Sequence, residues 1–387
     1  MEITERFMST YYVGARIFDR GQLVRNLALS VDKNHTQRIL PETEIPENAP
    51  VVHLNGGILS GGFIDTQANG GGEVLVNDDF SADGLETVIQ AHYQFGTVAM
   101  LPTFITDNQQ KYHRAIAAIA DGVKNGLNGL LGGHFEGPFI HPAKKGTHQA
   151  RFIRQPDARD FACYQKHADY LQHSILSLAP EQVRAGTIAQ IKPAIPQIQL
   201  AHSMATHQEI LAAWCEGLTG ITHLYNAMRA FSGRDVGAIG SAAELGLHCG
   251  IIADGIHSHP YALAMAYRNL GAEKLMLVTD AMSPLGAKNM QSFDLMGIKV
   301  FVQADRLINE DGALAGAQVT MLQCVQNAMK YMPIDCQSVL QMAVSTPAYY
   351  LGRPDLARIY PRPISEIIYL DEQLQTVTAL PQLCGSM

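Results

Sequence analysis

The sequence predicts an α/β chain folded as a (β/α)8 barrel of the TIM type, with a small β-sandwich domain built from both chain ends. Three observations carry that expectation. Eight short apolar runs recur between residues 61 and 281, each followed by a segment with apolar residues at helical spacing. Histidines and carboxylates stand at the ends of several runs, where such a barrel keeps its chemistry. The two chain ends, by contrast, hold short β-prone pieces separated by Pro, Asn and Gly.

At the N-terminal end these pieces are "YYVGARIFD", "RNLALSV" and "APVVHLNGG", and "SEIIYLDEQLQTVTAL" near the C-terminus has the same character. The two ends are expected to pair as one small domain, residues 1–58 with 357–387, beside a barrel spanning 59–356. The barrel runs are "GGFIDTQA", "TVAMLPTF", "GLLGGHFEGP", "SILSLAPE", "QIQLAHSM", "GITHLYNA", "HCGIIADG" and "KLMLVTDA". Between them lie amphipathic segments such as "LETVIQAHYQFG", "YHRAIAAIADGV", "THQEILAAWCEG" and "HPYALAMAYRNLG", several ending in the glycine that commonly terminates a helix.

A chain of 387 residues accommodates one large barrel and a smaller unit. With 47% apolar and 17% charged residues it has the composition of a well-packed soluble protein. The net charge of −8 excludes a basic stripe for nucleic acid, so an anionic ligand must be held by a local pocket. The six cysteines are scattered without a CxxC pair, as expected for the reducing cytoplasm. The N-terminus lacks a basic segment followed by an apolar core, and no run of about twenty apolar residues occurs, so neither secretion nor a membrane span is expected.

The strand ends are then read for chemistry. Glu136 closes the third run, His202 and His223 follow the fifth and sixth, and Asp280 follows the eighth. A carboxylate and two imidazoles are the three protein ligands of a hydrolytic metal site, which keeps a further position for a water of lowered pKa. Asp280 is placed to take a proton from that water and return it to a departing amine. His134, two residues before Glu136, shares its strand face and reads as a barrel-layer residue. Thr103 and Asp254 read as loop caps. The loop "HPAKKGTHQARF" carries His148, open between a solvated residue and a substrate contact, and paired lysines that read as a solvated face. Backbone N–H groups near Asn226 and Ala227, with Arg234 and His257, compose a candidate anion pocket.

In order along the chain, "GGHFEGPFIHPAKKGTH", "AHSMAT", "THLYNAM", "GIIADGIH", "LVTDAMSPLG" and "GALAGA" resemble the successive motifs of N-acetylglucosamine-6-phosphate deacetylases of the amidohydrolase superfamily, from about Gly61 to Gly316. The resemblance implies hydrolysis of the acetamide of an amino-sugar 6-phosphate. It implies metal ligation by Glu136, His202 and His223, general base and acid action by Asp280, and polarisation of the substrate carbonyl by His148. It implies phosphate binding by Asn226, Ala227 and His257 together with Arg234 contributed by a neighbouring subunit, and hence a homodimer or higher oligomer. Where many amidohydrolases place HxH for a second metal, this chain has Gln67 and Asn69, and amides are poor ligands beside imidazole. One divalent cation per subunit is expected, zinc ahead of iron, manganese, cobalt or nickel. The chain departs from the pattern at "GGFID", where a proline commonly begins the strand, at Met204 in place of asparagine and at Arg229 in place of proline. Deacetylases of the galactosamine epimer share much of the pattern, so that epimer is the alternative substrate, and a different amide the next.

Overall fold

A computed structural model describes residues 9–384; residues 1–8 and 385–387 of the expected small β domain lie outside the described residues. Eight parallel strands form one sheet in sequential order: β1 (Phe63–Ala68), β2 (Thr97–Ile105), β3 (His134–Glu136), β4 (Ile175–Leu178), β5 (Gln197–Leu200), β6 (Gly220–Ile221), β7 (His248–Ile252) and β8 (Leu275–Val278). Each is followed by a helix: α1 (Ala82–Tyr93), α2 (Gln109–Lys124), α3 (Ala158–His167), α4 (Thr187–Ile191), α5 (His207–Glu216), α6 (Gly237–Leu245), α7 (Pro260–Leu270) and α8 (Met321–Tyr331). This is the expected (β/α)8 barrel. Each of the eight apolar runs holds a barrel strand, β2 alone continuing one residue past its run.

Local chemistry starts and stops the helices where the motifs require. Thr206 caps α5 in a reciprocal capping box with Glu209, so the helix begins five residues after His202 and cannot draw that histidine into itself. Gly217, at φ +114°, ends it. Asp157 with Asp160, and Thr320 with Gln323, make the same box at α3 and α8. The strands are buried along nearly their whole length, because helices cover the outside and side chains fill the inside. Fully buried Phe63, Phe104 and Phe135 belong to that continuous core, each contributing on the order of 2–3 kcal/mol of burial.

Strands from both chain ends mix in two five-stranded sheets. One has the order 362–363, 35–41, 27–32, 10–13, 51–53, and the other 377–379, 367–370, 58–61, 16–19, 22–24. Tyr12, Ile17, Leu29, Leu59, Ile359 and Ile367 form their shared core. The two ends therefore pair in a sandwich, as their composition implies.

A further sheet lies outside the sequence expectation. Ser292–Leu295, Ile298–Gln303 and Arg306–Asn309 form an antiparallel three-stranded unit inserted between β8 and α8. Val300 is buried while Lys299 and Phe301 are exposed, so the period-two alternation is present in the sequence. Its buried face packs Leu295, Val300 and Leu307 on Ile105 and Met282 at the barrel mouth.

Candidate metal centre and active site

The site residues share one backbone device. Strands β5, β6 and β8 end at Leu200, Ile221 and Val278, and His202, His223 and Asp280 are each the second residue beyond. All three have positive φ, at +48°, +31° and +49°. Left-handed backbone costs an L-residue roughly 1–2 kcal/mol, and it persists only where the surroundings over-determine it. Glu136 needs no such turn, being the last residue of β3.

These elements bring the expected residues together. Glu136 Oε1 lies 2.9 Å from His202 Nε2 and 2.8 Å from His223 Nε2, and the two imidazole nitrogens are 3.3 Å apart. His202 Nδ1–H donates to the Lys144 carbonyl at 2.6 Å, which leaves Nε2 as the lone-pair nitrogen facing the carboxylate. Lone pairs that converge in this way repel unless a proton or cation lies among them. Nitrogen and oxygen ligands of a tetrahedral cation at about 2.0–2.1 Å stand about 3.3–3.4 Å from one another, close to the separation of the two imidazoles. The donor set therefore fits a divalent cation. Ligand atoms of Glu136, His148 and His202 also lie within 4.8 Å of each other, so four donors crowd this point. The tight mutual contacts belong to Glu136, His202 and His223, whereas His148 Nδ1 is bonded to the Thr106 hydroxyl at 2.7 Å.

Burial alone would push the Glu136 carboxyl up, but the imidazoles of His202 and His223, when protonated against it, hold it well below the usual range. Burial pushes Asp280 up to about 6, and the neighbouring Glu136 charge adds to the rise. Gln67 Nε2 donates at 3.2 Å to both Glu136 Oε2 and Asp280 Oδ1, and Asn69 Nδ2 donates to Asp280 Oδ1 at 2.6 Å. Where a second metal would sit, two amides thus tie the carboxylates together by hydrogen bonds.

Other expected residues divide. His257 and Ala227 line the same cavity of about 320 Å3 as the four donors and Asp280. Asp254, read as a loop cap, accepts the N–H groups of Ile256 and His257 at 2.8 Å and also takes His257 Nδ1–H at 2.6 Å, orienting that ring. Asn226 lines the cavity, but its N–H is spent on the His223 carbonyl at 2.9 Å, so of the two amides expected in an anion pocket only that of Ala227 is unused among the described residues. Arg234 is exposed and outside its own chain's cavity. His134 bonds Thr66 O and Ser177 Oγ within the barrel, leaving neither ring nitrogen for a ligand.

Two residues escaped the sequence reading. Thr106, not Thr103, meets the site; Thr103 instead accepts the Ala68 N–H between β1 and β2. Asp65, in β1, is fully buried behind Asp280. Burial raises its carboxyl to about 7, against hydrogen bonds from Thr279 and Gln67. Neither position has a local signal, since each takes its meaning from a neighbouring strand.

A β/α barrel that gathers a carboxylate, two imidazoles and a further aspartate at the C-terminal ends of its strands belongs to the class of hydrolytic barrel enzymes. The chain is a member of the amidohydrolase family, whose model it matches over residues 58–362. It is 36% identical over 362 residues to an N-acetylgalactosamine-6-phosphate deacetylase of Shewanella sp. (strain ANA-3), covering 93% of this chain and 91% of that one. It is 30% identical to an N-acetylglucosamine-6-phosphate deacetylase of Haemophilus influenzae, covering 88% and 89%. The crystal structure of N-acetylglucosamine-6-phosphate deacetylase from Pasteurella multocida superposes with a TM-score of 0.88 at 32% identity, covering 95% and 96%.

Proposed function

We propose that the protein hydrolyses the acetamide of N-acetyl-D-glucosamine 6-phosphate to D-glucosamine 6-phosphate and acetate. The observation that carries this reading is the convergence of Glu136, His202 and His223 beside Asp280 in one cavity, in a chain similar over most of its length to deacetylases of amino-sugar phosphates. Glu136, His202 and His223 would hold one divalent cation, zinc foremost, which supplies Lewis acidity and lowers the pKa of water.

The chain's own residues do the rest. Asp280 is held through Oδ1 by Asn69 and Gln67, which leaves Oδ2 to accept a proton from the attacking water. As water adds to the acetamide carbon and the C–N bond breaks, Asp280 returns that proton to the departing nitrogen. His148, its Nδ1 hydrogen-bonded to the Thr106 hydroxyl, presents Nε2–H to the acetamide oxygen and stabilises the charge that develops there. Ala227 N–H, Asn226 and His257 hold the sugar phosphate, with Arg234 reaching in from a neighbouring subunit of a homodimer. The barrel span 59–356 is the catalytic unit, and 1–58 with 357–387 the accessory one. Scattered free thiols, Cys215 among them exposed, fit a cytoplasmic setting.

The test is acetate release from N-acetylglucosamine 6-phosphate with metal quantified in the same sample. Absence of both acetate and metal sinks the assignment. The 36% identity to the Shewanella galactosamine-epimer enzyme favours a second reading, the same chemistry on N-acetylgalactosamine 6-phosphate. The ratio of kcat/KM on the two epimers decides between them.

A further inference from the structure

The first and last barrel strands meet without a ladder of paired residues. A buried carboxyl joins them beside Asp280. Asp65, in β1, accepts the Gln67 N–H at 3.1 Å and the Thr279 N–H at 3.3 Å through Oδ1, and the Thr279 hydroxyl at 2.5 Å through Oδ2. One carboxyl therefore grips both neighbours of Asp280. Thr279 precedes it in the chain, and Gln67 accepts the Asp280 N–H at 2.8 Å while donating to Oδ1 at 3.2 Å. His92 of α1 stands behind the grip, with Nδ1 3.8 Å from Asp65 Oδ2 and Nε2–H donating to the Gly70 carbonyl at 3.0 Å.

The strained backbone of Asp280, at φ +49°, needs such a hold, because a left-handed aspartate relaxes when its surroundings loosen. We propose that Asp65 is a positioning residue for the reaction, holding Asp280 through Thr279 and Gln67 so that its carboxyl faces the bond to be cleaved. The inference rests on the reading of Asp280 as proton carrier. It differs from a role in barrel closure alone, since the seam has other ties: Asn69 N–H and Gly70 N–H donate to the Ala281 carbonyl at 2.7 and 3.0 Å. Those bonds persist when the Asp65–Thr279 contact is lost, so the effect falls on Asp280 rather than on the fold.

Thr279→Val removes the hydroxyl at nearly constant volume, Asp65→Asn weakens the acceptor, and Thr279→Ser keeps the contact. A misplacement near 1 Å costs up to about 100-fold in rate, so kcat on N-acetylglucosamine 6-phosphate should fall about 10–100-fold in Thr279→Val and Asp65→Asn. KM and metal content should stay near wild type, and Thr279→Ser should recover most of the loss. Wild-type kcat in Thr279→Val, or a loss accounted for by KM or metal, overturns the proposal, and this variant decides if Asp65→Asn fails to fold. Should the wild-type chain hydrolyse neither epimer, the reaction assignment falls by itself. Crystal structures then decide the positioning role: Asp280 moved away from Asn69 Nδ2 in Thr279→Val supports it, and an unmoved Asp280 overturns it.

Discussion

Gly137 and Thr106 share one space: a Cβ on the glycine would overlap the threonine hydroxyl. That hydroxyl is the 2.7 Å partner of His148 Nδ1. The glycine of the "FEGP" segment thus opens the room in which the threonine just past strand β2 reaches the ring proposed to polarise the substrate.

Gly137→Ala is therefore expected to act twice. Its φ of +81° costs alanine about 1–2 kcal/mol, and the overlap adds to this. Thermal melting should fall by several degrees. The residual folded enzyme should lose kcat more than Thr106→Ser does, since serine keeps the hydroxyl. Equal activity of Gly137→Ala and wild type would remove the Thr106–His148 contact from the mechanism.

Asp280→Asn should reduce turnover about 100- to 10,000-fold, the range of a lost acid–base group, while metal content stays unchanged. His202→Ala should lose both turnover and metal, because it removes one of three donors and leaves Glu136 facing a gap. Parallel activity assays and elemental analysis check the pair. Retained metal in His202→Ala would shift the ligand role toward His148.

Arg234, exposed on its own chain, yields a complementation test of assembly. Arg234→Ala should raise KM about 10- to 100-fold through loss of a charged phosphate contact. Co-expressed Arg234→Ala and Asp280→Asn chains should regain part of wild-type activity, because in the proposed dimer a mixed pair would build one site with Asp280 from one chain and Arg234 from the other. No recovery in a purified mixed dimer would place Arg234 outside the neighbouring site.

Stability should also depend on pH through buried imidazoles. Burial draws His92 down to about 4, and burial followed by the Lys274 charge draws His248 down to about 4. The unfolded chain protonates these rings near pH 6.5, so between about 6.5 and 4 it binds more protons than the fold does. Their contribution is present above about pH 6.5 and lost as pH falls toward 4. Asp65, raised to about 7, opposes this, its contribution being full below its unfolded value of 3.8 and lost as pH rises through 7. His92→Gln keeps a donor for the Gly70 carbonyl but cannot titrate. The drop in Tm between pH 7 and 4.5 should be smaller in that variant, and an equal drop would show that His92 titrates normally.

Much of this architecture was legible in the chain itself. The eight apolar runs located every barrel strand because a strand buried on both faces reads as continuous hydrophobicity. Glu136, His202, His223 and Asp280 were legible because a barrel of this kind exposes the ends of its strands on one rim. The sheet at 292–309 was missed although its alternation is plain, because it falls after the eighth run, where only a helix was expected. Thr103 drew attention in place of Thr106 for a similar reason: strand β2 continues to Ile105, so the residue that meets the site lies just past its end.

By itself, then, the order of residues determined which elements form, in what sequence, and which side chains arrive at the mouth, since period and composition are local properties. Only the tertiary structure decided that three site residues take left-handed backbone, that Gln67 ties Glu136 to Asp280 while Asn69 holds Asp280, and that Asp65 grips the seam behind Asp280. Those features arise from contacts between distant strands and the residues just past their ends, Asp65 and Thr279 being more than two hundred positions apart, and from burial that exists only once the barrel has assembled.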